Sequence, residues 1–187
     1  MKIIGISGSL RSSSYNRKLL RLAMDMAAAT GAEVAEVDLR QPPLPIYDGD
    51  VETVGLPQAV IDLKSAVESA DALFIASPEY NYSIPGGLKN ALDWLSRPGN
   101  SLDGKVAAIF GASNGAFGTV RMQPHLRAVL GALNVLVLPQ PQVFIRTAGE
   151  AFDDGGKLKD HAMAQRLRAL VAATLTLAKQ RREPKLA

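Results

Sequence analysis

Residues 8–16 (GSLRSSSYN) bring four serine hydroxyls, an arginine and an asparagine to the junction between an apolar run and a helical pattern. The N–H groups that open a helix lack intrahelical partners, and the helix dipole there favours an anion. The segment therefore suits a phosphate. Neither GxxxxGK[ST] nor GxGxxG is present, so one phosphate fits better than a pyrophosphate. A serine-rich loop with one N-cap serine is the alternative, because Ser and Asn cap helices routinely.

Two further segments stand out. Residues 77–87 (SPEYNYSIPGG) combine tyrosines, prolines and glycines in a stiff loop whose backbone can approach a flat ligand closely. Backbone polar groups beside an aromatic face are what an oriented slot for a planar heterocycle needs. An ordinary turn, with Tyr80 and Tyr82 covering the edge of the core, is the competing reading. Residues 111–118 (GASNGAFG) are small and permit the same close approach, although a plain flexible loop explains them alone. Together the three segments describe one pocket, with a phosphate at one end and a flat ring at the other.

Such loops need a frame, and the apolar pattern supplies one. Runs at 2–7, 33–38, 72–76, 106–111 and 135–138 read as strands. The first, third and fourth are apolar nearly throughout, as in parallel strands buried on both faces. Helical stripes follow them: Leu19, Leu22, Ala23 and Met26, then Val60, Leu63, Val67 and Ala70 after Pro57, then Leu88, Ala91, Leu92 and Leu95. Two more run through Met122, Leu126, Val129, Leu130 and Leu133, and through Met163, Leu167, Leu170, Val171 and Thr174. Arg17, Lys18 and Arg21 are expected on the wet side of the first helix, and 41–49 and 148–156 as loops. Five βα units predict one α/β domain over 1–178, a five-stranded parallel sheet in the order 2-1-3-4-5 with helices on both faces. In such sheets ligands bind beyond the carboxyl ends of the strands where the order reverses, which is where the three segments fall.

Composition removes several classes. The 187 residues contain no cysteine, which excludes disulfides, thiolate metal sites and cysteine catalysis. No apolar run approaches the ~20 residues of a membrane span, and no cleavable signal opens the chain, so a cytoplasmic protein is expected. The net charge of +3 falls wholly in 179–187, where Lys179, Arg181, Arg182 and Lys185 outnumber Glu183. A neutral body with a short basic tail is not the basic stripe a nucleic-acid binder presents. His125 and His161 have no partners at metal-ligand spacing. Arg121 and Arg127 flank His125 and read first as a solvated helix face.

The motifs GSLRSSSYNRKLL, SPEYNYSIPGGLKNALDWLSRP and GASNGAFG resemble the NADPH-dependent FMN reductase family, in its chromate/quinone reductase branch. The resemblance covers effectively the whole chain and implies a flavodoxin-like three-layer sandwich. It implies that Ser9, Arg11, Ser14, Tyr15 and Asn16 surround the FMN phosphate. Pro78, Glu79, Tyr80 and Asn81 would line the flavin ring, largely through backbone groups and the Tyr80 ring, while Ser113 and Gly115 approach its edge. Hydride would pass from NADPH or NADH to FMN and two electrons onward to a quinone, azo, nitroaromatic or chromate acceptor. No side chain is then required as nucleophile or general base. A homodimer or homotetramer is implied, built partly from the helix holding Trp94, although a Trp packed inside its own subunit fits that helix equally. A flavodoxin-type electron carrier shares fold and cofactor and is the second reading; such carriers are typically acidic, whereas this body is neutral.

Overall fold

The computed structural model describes residues 1–182. Its sheet contains β1 (Lys2–Ser7), β2 (Glu33–Val37), β3 (Ala72–Ala76), β4 (Val106–Ala112), β5 (Leu136–Val137) and β6 (Phe144–Ile145). The helices are α1 (Tyr15–Ala28), α2 (Gly49–Val54), α3 (Gln58–Glu68), α4 (Gly86–Leu95), α5 (Met122–Ala132) and α6 (His161–Arg182). The sheet runs β2-β1-β3-β4-β5 with every ladder parallel, the expected order. It reverses between β1 and β3, where the first and second loops leave the sheet.

Both faces of the central strands are buried, which explains their unbroken apolar runs. Phe74 and Phe110 meet edge to face on the side covered by α1 and α6. Leu73, Ile75 and Ile109 pack under α3, α4 and α5 on the other. Gly5 lies against α1, where a Cβ would come within 2.6 Å of the Met24 sulfur. Its bare backbone lets α1 sit close to the strand.

The fifth strand differs from expectation. Only Leu136 and Val137 pair with the start of β4, opposite Val106 and Ala107. β6 resumes the same edge as a sixth strand, pairing Phe144 and Ile145 with Gly111 and Ala112. Pro139 and Pro141 lie in the gap, and proline has no N–H to give a ladder.

Other differences are local. α2 begins at Gly49, the last residue of the expected proline loop, and buries none of its residues, so no apolar stripe announced it. Arg17 is buried: its Nε lies 2.8 Å from Glu36 and its Nη2 2.7 Å from Asp38, joining α1 to β2. The Arg40 fork on Asp38, then Arg17, holds the Asp38 carboxyl well below the usual carboxylate range against the opposing effect of burial. Trp94 is wholly buried in its own subunit. Its indole N–H donates to the Pro45 carbonyl at 2.8 Å, and Tyr47 meets its ring edge-on. Of the expected basic tail, Lys179 to Arg182 form the last turn of α6, with Arg182 3.1 Å from Asp71. Residues 183–187 lie outside the described residues.

Candidate active site

Beyond the carboxyl end of β1 the chain turns at Gly8, whose N–H donates to the Ala76 carbonyl at 2.8 Å. A Cβ there would stand 2.8 Å from the Ser77 hydroxyl, so glycine allows the first two loops to touch. Ser9 is buried and its hydroxyl accepts the Arg11 N–H at 3.4 Å. Ser14 caps α1 by accepting the Arg17 N–H at 3.3 Å. That cap uses one lone pair and leaves the hydroxyl hydrogen free. The N-cap alternative and the anion-site reading are therefore compatible.

Asn16 does more than the sequence suggested. Its side chain is buried, and its amide accepts the Ala112 N–H at 2.8 Å and donates to the Ala112 carbonyl at 2.9 Å. The first loop is thereby fastened to the end of β4. The second amide hydrogen and the backbone N–H are what Asn16 retains for a ligand.

In the second loop, Tyr80 and Ser83 exchange backbone hydrogen bonds of 3.0 and 2.9 Å around Asn81 and Tyr82. Both intervening residues have positive φ, 48° and 65°. Asn tolerates that region, so the turn itself accounts for Asn81. The Glu79 carboxylate is buried and turned to α5. It accepts the backbone N–H groups of Arg121 and Met122, each at 3.0 Å, and pairs with the Arg121 guanidinium at 2.6 Å. Arg121 is thus an ion-pair partner rather than part of a solvated face, and Arg127 donates to the Leu138 carbonyl at 2.7 Å. His125 meets the Ser83 hydroxyl at 2.9 Å.

A cleft of about 100 Å³ opens where these strand ends converge. It brings together Ser9, Arg11, Ser14, Tyr15 and Asn16, then Pro78, Glu79 and Tyr80, and finally Ser113. It also takes in Ser13, Ala112 and Asn114, which were not singled out from the sequence. Ser13 and Asn114 sat inside the quoted motifs. Ala112 sat there too, inside the small-residue segment 111–118, and takes part through its backbone. Asn81 and Gly115, expected against the ring, stand outside the lining. Asn81 is committed to its turn, and the Gly115 N–H donates to the Ser113 hydroxyl at 3.3 Å. Larger cavities of about 460 Å³, beside Arg146 and Lys159, and about 510 Å³, between α1 and α6, lack that convergence of three strand ends.

A family profile described as NADPH-dependent FMN reductase matches residues 1–150. The chain belongs to that family. It is 46% identical over 175 residues to an NAD(P)H-dependent FMN reductase of Pseudomonas aeruginosa, covering 91% of this chain and 93% of that protein. It is 43% identical over 183 residues to an NAD(P)H:quinone oxidoreductase of Solanum tuberosum, covering 95% and 93%. Among solved structures it is similar to a flavoenzyme NAD(P)H:(acceptor) oxidoreductase from Paracoccus denitrificans, with a TM-score of 0.86 and 32% identity over 96% of this chain and 98% of that one. The electron-carrier alternative is not favoured by these likenesses.

Membership of an FMN reductase family can be tested against the cleft's own chemistry. The cleft is small and polar, lined by serine hydroxyls, an asparagine amide and the Arg11 guanidinium, a set of donors that suits a phosphate group. Among the described residues, the Arg11 guanidinium has no ion pair, and no acceptor takes the N–H of Tyr15 or Asn16. A cation, free hydroxyls and unpaired N–H groups at one helix start fit a phosphate monoester such as FMN carries. Beside that cleft, Pro78 is buried and the Glu79 carboxylate is turned inward, while Tyr80 is 46% exposed, so a flat ring has an aromatic surface at the cleft's edge to lie on.

Proposed function

We propose that this enzyme oxidises NAD(P)H through bound FMN and delivers two electrons to a quinone-type acceptor. The single observation that carries the reading is the convergence in one cleft of the α1 start, with its unpaired N–H groups and Arg11, and the 78–80 segment with the exposed Tyr80, at the ends of β1, β3 and β4. When bound, FMN supplies the hydride-accepting and electron-returning chemistry. The chain supplies everything else.

Ser9, Arg11, Ser14, Tyr15 and Asn16 hold the phosphate by hydroxyl, guanidinium and backbone N–H donors. Tyr15 is itself braced by Phe152, the two rings lying parallel to within 6° at 6.2 Å. Pro78, Glu79 and Tyr80 support the ring through their backbone, and Ser113 bounds its edge. Asn81 shapes the turn that presents this segment, and Gly115 keeps the third loop slim. Tyr82 and Phe117 are more than 60% exposed beside it, an aromatic margin suited to planar acceptors and to a second copy of the chain. A homodimer or homotetramer is part of the proposal.

The visible spectrum of the purified protein tests the reading. Oxidised-flavin bands that bleach with NADPH and return with a quinone are expected. A colourless protein that takes up no added FMN, or a flavoprotein unable to oxidise NAD(P)H, would overturn it. Azo, nitroaromatic and chromate acceptors can be compared in the same assay, and light scattering reads the oligomer.

A further inference from the structure

Glu79 is the one charged residue of the second loop, and its side chain is only 5% exposed. Both carboxylate oxygens are committed to α5 and its start. Oε2 accepts two backbone N–H groups, and Oε1 accepts the Arg121 Nε–H at 2.7 Å besides its contact with Nη2. α5 has no side-chain cap of its own at Arg121. Its cap comes instead from a residue 42 positions earlier, in the loop that walls the cleft.

Arg121 continues the connection outward. Its guanidinium lies 3.8 Å from the Tyr82 ring centroid and 5.0 Å from that of Phe117. One side chain therefore grips the second loop by charge and by stacking, and touches the third by stacking. It also supplies the guanidinium counter-charge on this buried carboxylate.

We propose that Arg121 is a positioning residue for the flavin site, acting through Glu79. It holds the 78–80 segment in place and keeps an unpaired anion out of the lining of the site. The proposal rests on the reading of the cleft as the FMN site. A buried charge stripped of its partner acts strongly on its surroundings, because little solvent screens it. Reduction adds electron density to the ring, so a bare Glu79 carboxylate opposes it. A bare Arg121 cation favours it.

The test compares Arg121→Met, Arg121→Lys, Glu79→Gln and the Arg121→Met/Glu79→Gln double variant, each loaded with FMN. The readouts are the two-electron midpoint potential of the bound flavin and its dissociation constant. Arg121→Met is expected to weaken reduced FMN about tenfold relative to oxidised FMN, a fall of about 30 mV. Glu79→Gln is expected to move the potential the opposite way by a similar amount, and the double variant to return it near wild type. Arg121→Lys keeps the charge but not the fork, so it should hold the potential while FMN dissociates several-fold more readily. A wild-type protein that binds no FMN would overturn the underlying reading before any variant is made. A wild type that binds FMN, with both single variants shifting the potential in one direction or not at all, would overturn this inference alone. If Arg121→Met does not fold, Glu79→Gln decides it by a rise in potential and Arg121→Lys by an unchanged potential with weaker FMN binding; failure of either result overturns the inference.

Discussion

Asn16, at the start of α1, grips Ala112, at the end of β4, with both ends of its amide across 96 residues of sequence. The pair closes the cleft from below, because the first loop cannot lift away from the third while these bonds stand. Substituting Asn16 with Ala leaves a buried N–H and a buried carbonyl unpaired, at a cost of about 1–3 kcal/mol. Urea denaturation should show that loss, together with weaker FMN retention. Unchanged stability would mean that water replaces the amide.

Arg11 offers the complementary case. It is exposed and unpaired among the described residues, so Arg11→Ala should leave the denaturation midpoint unchanged. A charge-assisted bond to phosphate contributes about 1.5–3 kcal/mol, so FMN should dissociate roughly ten- to a hundredfold more readily. Flavin fluorescence titration reads this directly. An unaltered dissociation constant would remove Arg11 from the phosphate site.

Gly111 should tolerate nothing larger. A Cβ at that position would collide with the Ser77 carbonyl oxygen and stand 2.8 Å from the Thr119 side chain. Backbone cannot yield as a flexible side chain can, so Gly111→Ala is expected to cost about 3 kcal/mol or more. Gly5→Ala should cost less, since its Cβ meets the flexible Met24. Thermal melts of the two variants give the order.

Acid should weaken the α1–β2 join. The folded-state Asp38 carboxyl lies below its unfolded value, so its stabilisation is complete above about pH 4 and is lost as pH falls through the lowered value. With Asp38 30% exposed, solvent screening limits the expected cost of Asp38→Asn to about 1–2 kcal/mol at about pH 7. The gap between variant and wild type should narrow steadily below about pH 4. A constant gap across that range would show that packing, not charge, is lost.

The strand order and the three loops were legible because both follow local rules: unbroken apolar runs mark buried parallel strands, and a ligand site forms at their carboxyl ends. What escaped were relationships between distant residues. Nothing about Glu79 in a loop foretells that it caps a helix beginning at Met122, and Arg17 looked like a surface cation until β2 supplied Glu36 and Asp38. Ala112 matters only through its backbone, which every residue shares. α2 escaped for a different reason, since an exposed two-turn helix leaves no apolar periodicity to read.

The interruption between Leu136–Val137 and Phe144–Ile145 also bears on how the protein behaves at high concentration. A sheet margin with a long run of free N–H and C=O groups invites another chain to add itself as a further strand, and repetition of that step builds fibres. Here the margin is broken into two-residue pieces with prolines between them, too short to template such growth. The split strand therefore leaves little continuous free backbone along the β5–β6 edge for another chain to pair with.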